Sequence, residues 1–431
     1  MKIETALLMT VPLAVFACAL QGQNTVYVGG SRPGSIPDLQ TAVAQAVPGD
    51  TLLIDGYLSL GAIVNIDKSL TIRSAPGVRG DLIMVDNGGG ILITALTPGI
   101  ALRIEGIDLS YIGMDVGFLH GIRSLSSVTG DIQFHGVNAR LYTVGGFHAT
   151  TLVELTGTRV FLKNCSFYAP DQGSDAACID SRFWGTATSC LRVQAQMLVM
   201  EECDLTAASA GWLTSHPTNC FGCDPSGSYS QTAPPGGFAL LANTQASWIV
   251  RTRTRDGNGG NGQQSQPPCG SIAGAGQAGL SMFTGPGGTL HAFDFIHQQG
   301  VPGVQTNMPP SPTRGPLLTI GDATAPLRLL GNAQLGGGIQ ANVSEPGISL
   351  LAMAFAWSPT NTPIGRIAFD PLQEHFTFVV FTPTPPSTQS WNVPNDPFLS
   401  GLPIVTQLFP FDPTSGAWRA ANPSGVWLQR P

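Results

Sequence analysis

The chain has 431 residues, a formal net charge of −7, only 11% charged residues and no basic block that could track a phosphate backbone, which excludes nucleic acid as a partner. With 53 Gly and 34 Pro it is rich in turns, yet 42% hydrophobic residues suffice for a long core, which excludes wholesale disorder. Beyond the first twenty residues the apolar runs are strand-sized, well short of the roughly 18 to 20 residues a membrane helix needs.

In chain order, residues 1–19 come first. Lys2 precedes a nearly uncharged stretch from Thr5 to Ala19, and the small residues Ala17 and Ala19 suit cleavage after Ala19. This predicts an export signal and a secreted or cell-surface protein. Lipidation at Cys18 is the alternative, opposed by the bulky Phe16 where a lipoprotein signal usually has a smaller residue.

Residues 20–358 read as one elongated domain. Between Pro37 and Pro48, Leu39, Ala42, Val43, Ala46 and Val47 form one helical stripe, followed by the turn Pro48-Gly49-Asp50-Thr51 into the apolar Leu52-Leu53-Ile54. A short helix here would cover the open edge of a first coil. Ile66, Leu70 and Ile72 mark an early coil. An eight-residue phrase then recurs at Leu102 to Leu109, Ile132 to Ala139, Val160 to Phe167 and Leu198 to Leu205, with starts 30, 28 and 38 residues apart. In each phrase the first, third, sixth and eighth positions are apolar or Cys, and the fifth is Gly, Asn or Glu. That pattern predicts a strand, a bend and a second strand, with Ile107, Val137, Cys165 and Cys203 stacked inward.

The helix, the Pro-Gly-Asp-Thr-Leu turn and the run Asp67-Lys68-Ser69-Leu70-Thr71-Ile72 resemble the N-terminal part of secreted proteins with the pectin-lyase-like β-helix. The resemblance covers Thr25 to Ser358 and is strongest before Ala210. It implies an all-β fold, a right-handed parallel β-helix with an N-terminal α-helical cap and a nonrepeating C-terminal strand region. It also implies surface polysaccharide as a frequent class of ligand, although one fold hosts unrelated functions.

Seven cysteines follow the signal: Cys165, Cys178, Cys190, Cys203, Cys220, Cys223 and Cys269. Cys165 and Cys203 read as buried small hydrophobes. Cys178 and Cys190, in one intercoil loop, and Cys220, Cys223 and Cys269 in later ones, read as loop disulfides of an exported chain, with one thiol left over. His216, Cys220, Cys223 and Cys269 are the weak alternative, a zinc tetrahedron.

The loops Tyr168 to Met197, Thr206 to Ser247 and Asp256 to Gly288 are too long for tight turns, and the last is rich in Gly and Gln. Two of them flank the Leu198 coil and would wall a lateral groove. Trp248 to Arg253 alternates, predicting a further coil with Trp248 and Val250 on one face. Later strands are expected at Leu290 to Phe295, Leu327 to Leu330 and Ile348 to Met353. Residues 359–431 read as a capping or accessory β region, with strands at Ile367 to Phe369, Phe376 to Phe381 and Ile404 to Phe409, and with Trp391, Trp418 and Trp427 packed on a small sheet.

Stacking at about 4.8 Å aligns outer positions into columns. One holds Glu105, His135, Lys163, Glu201 and Arg251 and reads as a solubilising ion ladder; a second holds Asp108, Asn138, Ser166 and Asp204. The groove candidates are Asp180, Arg182, Asp204, Arg251 and Arg253, with Arg255 beside them: carboxylates and guanidinium groups of this kind bind acidic sugars. A polysaccharide lyase would add calcium on clustered carboxylates and a base for the proton alpha to the uronate, and a glycoside hydrolase two facing carboxylates. The sequence completes neither set. The expectation is therefore a noncatalytic extracellular or cell-surface β-helix protein binding polysaccharide or another surface component, with a polysaccharide lyase or glycoside hydrolase acting in the groove as the alternative.

Overall fold

A computed structural model describes residues 24–30, 32–85, 89–98, 101–113, 121–143, 151–169, 187–210, 231–232, 236–259, 273–274, 279, 281–284, 289–303, 325–330, 334–373, 375–396, 399 and 402–428. The described residues are mostly strand with one helix, all-β in character.

Among the described residues the first part holds a 13-stranded, an 8-stranded and a small two-stranded sheet, and every pairing in them is parallel. The largest sheet has two arms. One runs from Thr25–Val28 through Thr51–Ile54, Leu70–Ser74, Ala101–Glu105 and Asp131–His135; the other from Ile63–Ile66 through Gly90–Ile93 and Ile122–Ser124. They meet in Thr151–Lys163, Ser189–Glu201 and Leu240–Val250, long strands whose first halves belong to one arm and second halves to the other. The chain visits the first arm, the 8-stranded sheet and the second arm in turn. Thus Ala101–Glu105, Ile107–Gly113 and Ile122–Ser124 are followed by Asp131–His135, which pairs back on Ala101–Glu105.

The recurring phrase falls on the corner between the first arm and the 8-stranded sheet. Leu102, Ile132, Val160 and Leu198 are in register, as are Ile104, Phe134, Leu162 and Met200, and all are buried in one core with Ile107, Val137, Cys165 and Cys203. Each such side chain withdrawn from water contributes about 1.5 to 3 kcal/mol. The fifth position is the bend itself: Gly106, Gly136, Asn164 and Glu202 have φ of 61°, 63°, 52° and 56°. Left-handed backbone costs most residues about 1 to 2 kcal/mol, which favours Gly and Asn here. The corner N–H groups repay this by bonding the next rung, Asn164 N to Glu201 O at 2.9 Å and Glu202 N to Val250 O at 3.0 Å.

This corner corrects the expected register one coil later. Arg251, with φ of 45°, occupies the fifth position and not the fourth, because Val250 pairs with Glu201. Trp248 pairs with Val199, an outer position, while Ile249 enters the core. Other expectations shift too. Cys190 lies in the strand Ser189–Glu201, buried with a free thiol donating to Thr206 O at 2.8 Å, and is neither a loop residue nor cross-linked. Cys165 and Cys203 are likewise buried and free. Cys178, Cys220, Cys223 and Cys269 lie outside the described residues. Asp256, Gly257 and Gly259, expected to open a long loop, are buried in a packed corner.

The helix Leu39–Gln45 buries Leu39, Ala42 and Val43 in the parallel core. Asp38 caps it, accepting from Thr41 N at 2.7 Å and Thr41 Oγ1 at 2.8 Å. Lys68 Nζ satisfies the carbonyls of Val43 and Ala46 near its C-terminal end. The Pro-Gly-Asp-Thr turn is fixed by Asp50, whose buried carboxylate accepts from Asn24 N and Val47 N.

From Leu327 onward every named pairing is antiparallel, so the change of pairing precedes the break at Ser358-Pro359. A three-stranded sheet (Leu327–Leu330, Gly338–Val343, Ser387–Asn392) and a five-stranded one ordered His375–Thr382, Gly347–Ala354, Pro403–Asp412, with Ala417–Trp418 and Pro423–Trp427 on the last, share a core of Leu329, Ile339, Val343, Leu351, Val380 and Leu408. This part docks on the outer side of the first arm: Phe161, Val199, Trp248 and Phe293 pack against Trp357, Ala368 and Val405. Trp427 meets Phe161 edge-on at 4.8 Å, while Trp391 packs on Phe378 and Trp418 on Phe411.

Candidate functional site

The docking decides which outer surfaces remain open. On the first arm, Lys163 and Glu201 are not a solvated ladder, because the C-terminal sheets bury them. Lys163 Nζ reaches Glu201 Oε2 at 3.0 Å and Gly425 O at 3.2 Å; Arg251 donates to Glu201 Oε1 at 2.5 Å, to Glu202 Oε1 at 3.1 Å and to Leu327 O at 2.8 Å. Arg251 is thereby consumed in the joint between the two parts and does not line a groove.

Among the described residues the outer face of the 8-stranded sheet stays open. One row of it runs Tyr57, Asp81, Asp108, Asn138, Ser166, Asp204, Arg253, Ile296, and the next Ser59, Ile83, Ser110, Arg140, Tyr168, Thr206, Arg255, Gln298. The expected column of Asp108, Asn138, Ser166 and Asp204 is therefore real, and Arg253 continues it. Asp204, Arg253, Arg140 and Arg255 are exposed, as are Tyr57, Tyr142 and Tyr168 at 80%, 49% and 44%. Leu82, Leu109, Phe167 and Leu205, pointing inward between these rows, hold the strands flat against the core.

The early rungs are pre-organised. Arg79 grips Asp108 with two bonds of 2.6 and 2.7 Å, and Asn138 Nδ2 donates to the same carboxylate at 2.9 Å. On the neighbouring rung Asp81 accepts from Ser110 Oγ at 3.1 Å, and its Oδ1 is buried without a hydrogen-bond partner among the described residues. Burial pushes the Asp81 carboxyl above its usual range, an effect the Ser110 bond partly offsets and the Asp108 charge reinforces. Arg79 is held above its ordinary value by its bonds to Asp108. The late rungs carry Arg253 and Arg255 next to Asp204.

Of the sequence candidates, Asp204 and Arg253 come together on adjacent rungs, whereas Arg251 is diverted to the joint. Asp180 and Arg182 lie outside the described residues, as do His216, Cys220, Cys223 and Cys269. Among the described residues no group of three His, Cys, Asp or Glu could hold a metal. Calcium takes six to eight oxygens; Asp108 is already occupied by Arg79 and Asn138, so the described face does not fit a calcium cage. The sequence reading missed Arg79, Asp81, Tyr142 and Tyr168. Their signal was register: once the columns are extended by one coil in each direction, Asp81 falls in line with Asp108.

A second constellation has a triad-like outline and a structural role. Thr254 Oγ1 is 2.8 Å from His297 Nδ1, and His297 Nε2 is 3.5 Å from Asp256 Oδ2. Thr254 is fully buried, and the Asp256 carboxylate accepts from Ala239 N, Ser281 N and Ser281 Oγ at 2.8, 2.9 and 2.6 Å. A nucleophile sealed inside the coil cannot meet substrate, so the group is a polar tie between the last coils. No protein-family model matches the chain, and no curated protein matches it in sequence.

Proposed function

We propose that the chain is an extracellular or cell-surface, noncatalytic right-handed parallel β-helix protein of the pectin-lyase-like kind, capped by its N-terminal helix, that binds polysaccharide on the outer face of the 8-stranded sheet. The observation that carries the binding reading is that face: exposed tyrosines beside a ladder of Asp, Asn, Ser and Arg. A repeating row of hydrogen-bonding groups suits a repeating ligand, and tyrosine rings stack on sugar faces. The passage of the chain through three columns of parallel strands, and the burial of Leu39, Ala42 and Val43 against the first coil, support the β-helix and its cap. Export rests on residues 1–19, which lie outside the described residues; the mass of the mature N-terminus tests it, with a lipidated Cys18 as the competing product. No helix among the described residues is long and apolar enough to cross a membrane.

The test is a polysaccharide panel followed by both binding and product formation. Retention of a polysaccharide without new reducing ends or unsaturated uronates, weakened about tenfold or more by Tyr168→Ala with Arg253→Ala, supports the reading. One observation favours the enzymatic alternative. Asp81 and Asp108 sit on adjacent rungs in opposed environments, one carboxyl pushed up by burial and the other gripped by Arg79, as an acid and its partner carboxylate would be. Turnover abolished by Asp81→Asn would replace the binding reading with a hydrolase.

A further inference from the structure

The five-stranded antiparallel sheet ends in His375–Thr382, which among the described residues pairs on one side only, with Gly347–Ala354. Proteins usually blunt such an edge with Lys, Pro or a bulge, because its unpaired N–H and C=O groups recruit another strand. Here eight consecutive residues, HFTFVVFT, contain none of these. The inward side is ordinary core, with Val380 buried and Phe378 packed on Trp391 of the neighbouring sheet's edge strand. The outward side is apolar and open: Val379 and Phe381 are 73% and 64% exposed, and Ile348, paired with Phe381, is 46% exposed.

Charge selects the occupant. The chain carries a net charge of −7, which opposes contact between copies, but between Glu374 and Asp396 it has no Asp, Glu, Lys or Arg. The same holds for the neighbouring strand, between Glu345 and Arg366. Two copies meeting at this rim oppose no like charges, which across a strand pair would be destabilising.

We propose that this rim is a homodimer interface in which His375–Thr382 pairs antiparallel with the same strand of a second copy. A two-fold axis perpendicular to the sheet keeps every side chain on its own face, so odd residues pair with odd ones. Centred on Val379, it sets Val379 against the partner's Val379 and Phe381 against the partner's Thr377, joining two apolar strips and pairing the backbone of both edges. The contact is isologous and closes at two chains. It is separate from the polysaccharide face and independent of it.

The test uses the full mature chain. Light scattering coupled to gel filtration over a range of concentrations is expected to give the mass of two chains, and Val379→Lys or Phe381→Lys, both at exposed positions, to give one chain with an unchanged circular dichroism spectrum. Directly opposed residues lie about 4.5 to 5.5 Å apart between Cα atoms, within disulfide reach. Val379→Cys is therefore expected to give a covalent dimer with oxidised glutathione, beyond any seen for the parent chain or for Tyr57→Cys. A single-chain mass at every concentration, a larger open assembly, or a dimer indifferent to both lysine variants and lacking the cross-link would overturn the proposal.

Discussion

Glu201 and Ser424 stand 223 positions apart in the chain and are joined by one shared hydrogen bond, the Ser424 hydroxyl donating between Oε1 at 2.7 Å and Oε2 at 2.9 Å of the carboxylate. The same carboxylate binds Lys163 from its own sheet and Arg251 from the next coil, with its side chain 4% exposed. One buried carboxylate thus ties three successive coils of the parallel part to the final strand of the antiparallel part.

Replacing it takes the carboxylate partner from Lys163 and one of two from Arg251 in the joint. Glu201→Ala is expected to lower stability by about 3 to 5 kcal/mol, the usual cost of removing one partner from a buried ion pair. Ser424→Ala, which leaves the ions paired, is expected to cost less, about 1.5 to 3 kcal/mol for a hydrogen bond to a charged group. Urea unfolding midpoints of the two variants measure the difference, and equal shifts would contradict the network.

Glu202, beside it at the corner, gives the joint an acid sensitivity. Burial, the largest single influence, raises its carboxyl, but the Arg328 bond and the charges of Arg251, Arg328 and Lys163 outweigh it and leave the group below its ordinary value of 4.5. A lowered carboxyl stabilises the fold fully above that ordinary value and loses the contribution as pH falls through the depressed one. Urea midpoints of the parent chain are therefore expected to fall more steeply on acidification below 4.5 than those of Glu202→Gln.

Asp256 holds the last coils together with one carboxylate. Asp256→Ala leaves Ala239 N and Ser281 N without their acceptor, at about 1 to 3 kcal/mol for each buried donor, and Asp256→Asn, which keeps one oxygen, is expected to lose less. Hydrogen exchange at Ala239 and Ser281 should rise ahead of exchange in the early coils. Uniform protection across the chain would remove Asp256 from this role.

At Gly257 the chain has no room for a side chain. A Cβ there would lie 1.7 Å from Ala208 O, a backbone atom that already accepts from Gly237 N at 3.0 Å, while Gly257 N donates to Gly237 O and Gly279 N to Gly257 O, both at 2.9 Å. Gly257→Ala must displace that backbone ladder and is expected to cost about 3 kcal/mol or more, the upper end for overpacking. Thermal unfolding reads it directly.

The sequence by itself determined the repeating corner. Leu102, Ile104, Ile107 and their counterparts had to alternate inward for the coils to share a core, and Gly106, Gly136 and Asn164 had to occupy a bend that most residues resist. It also aligned Asp108, Asn138, Ser166 and Asp204, since parallel stacking in register is local arithmetic from phrase to phrase. That arithmetic failed at Arg251, where the phrase had lost its Gly, Asn or Glu marker and strict alternation suggested a register one residue off. Only the tertiary structure decided which outer rows stay open, because that depends on where the antiparallel sheets dock, and no local pattern encodes a contact such as Glu201 with Ser424. Docking turned the row of Lys163 and Glu201 from a solvated ladder into a buried joint and left the row of Asp204 and Arg253 facing water. Burial is a property of the assembled surface, and a side chain's neighbours in sequence do not fix it.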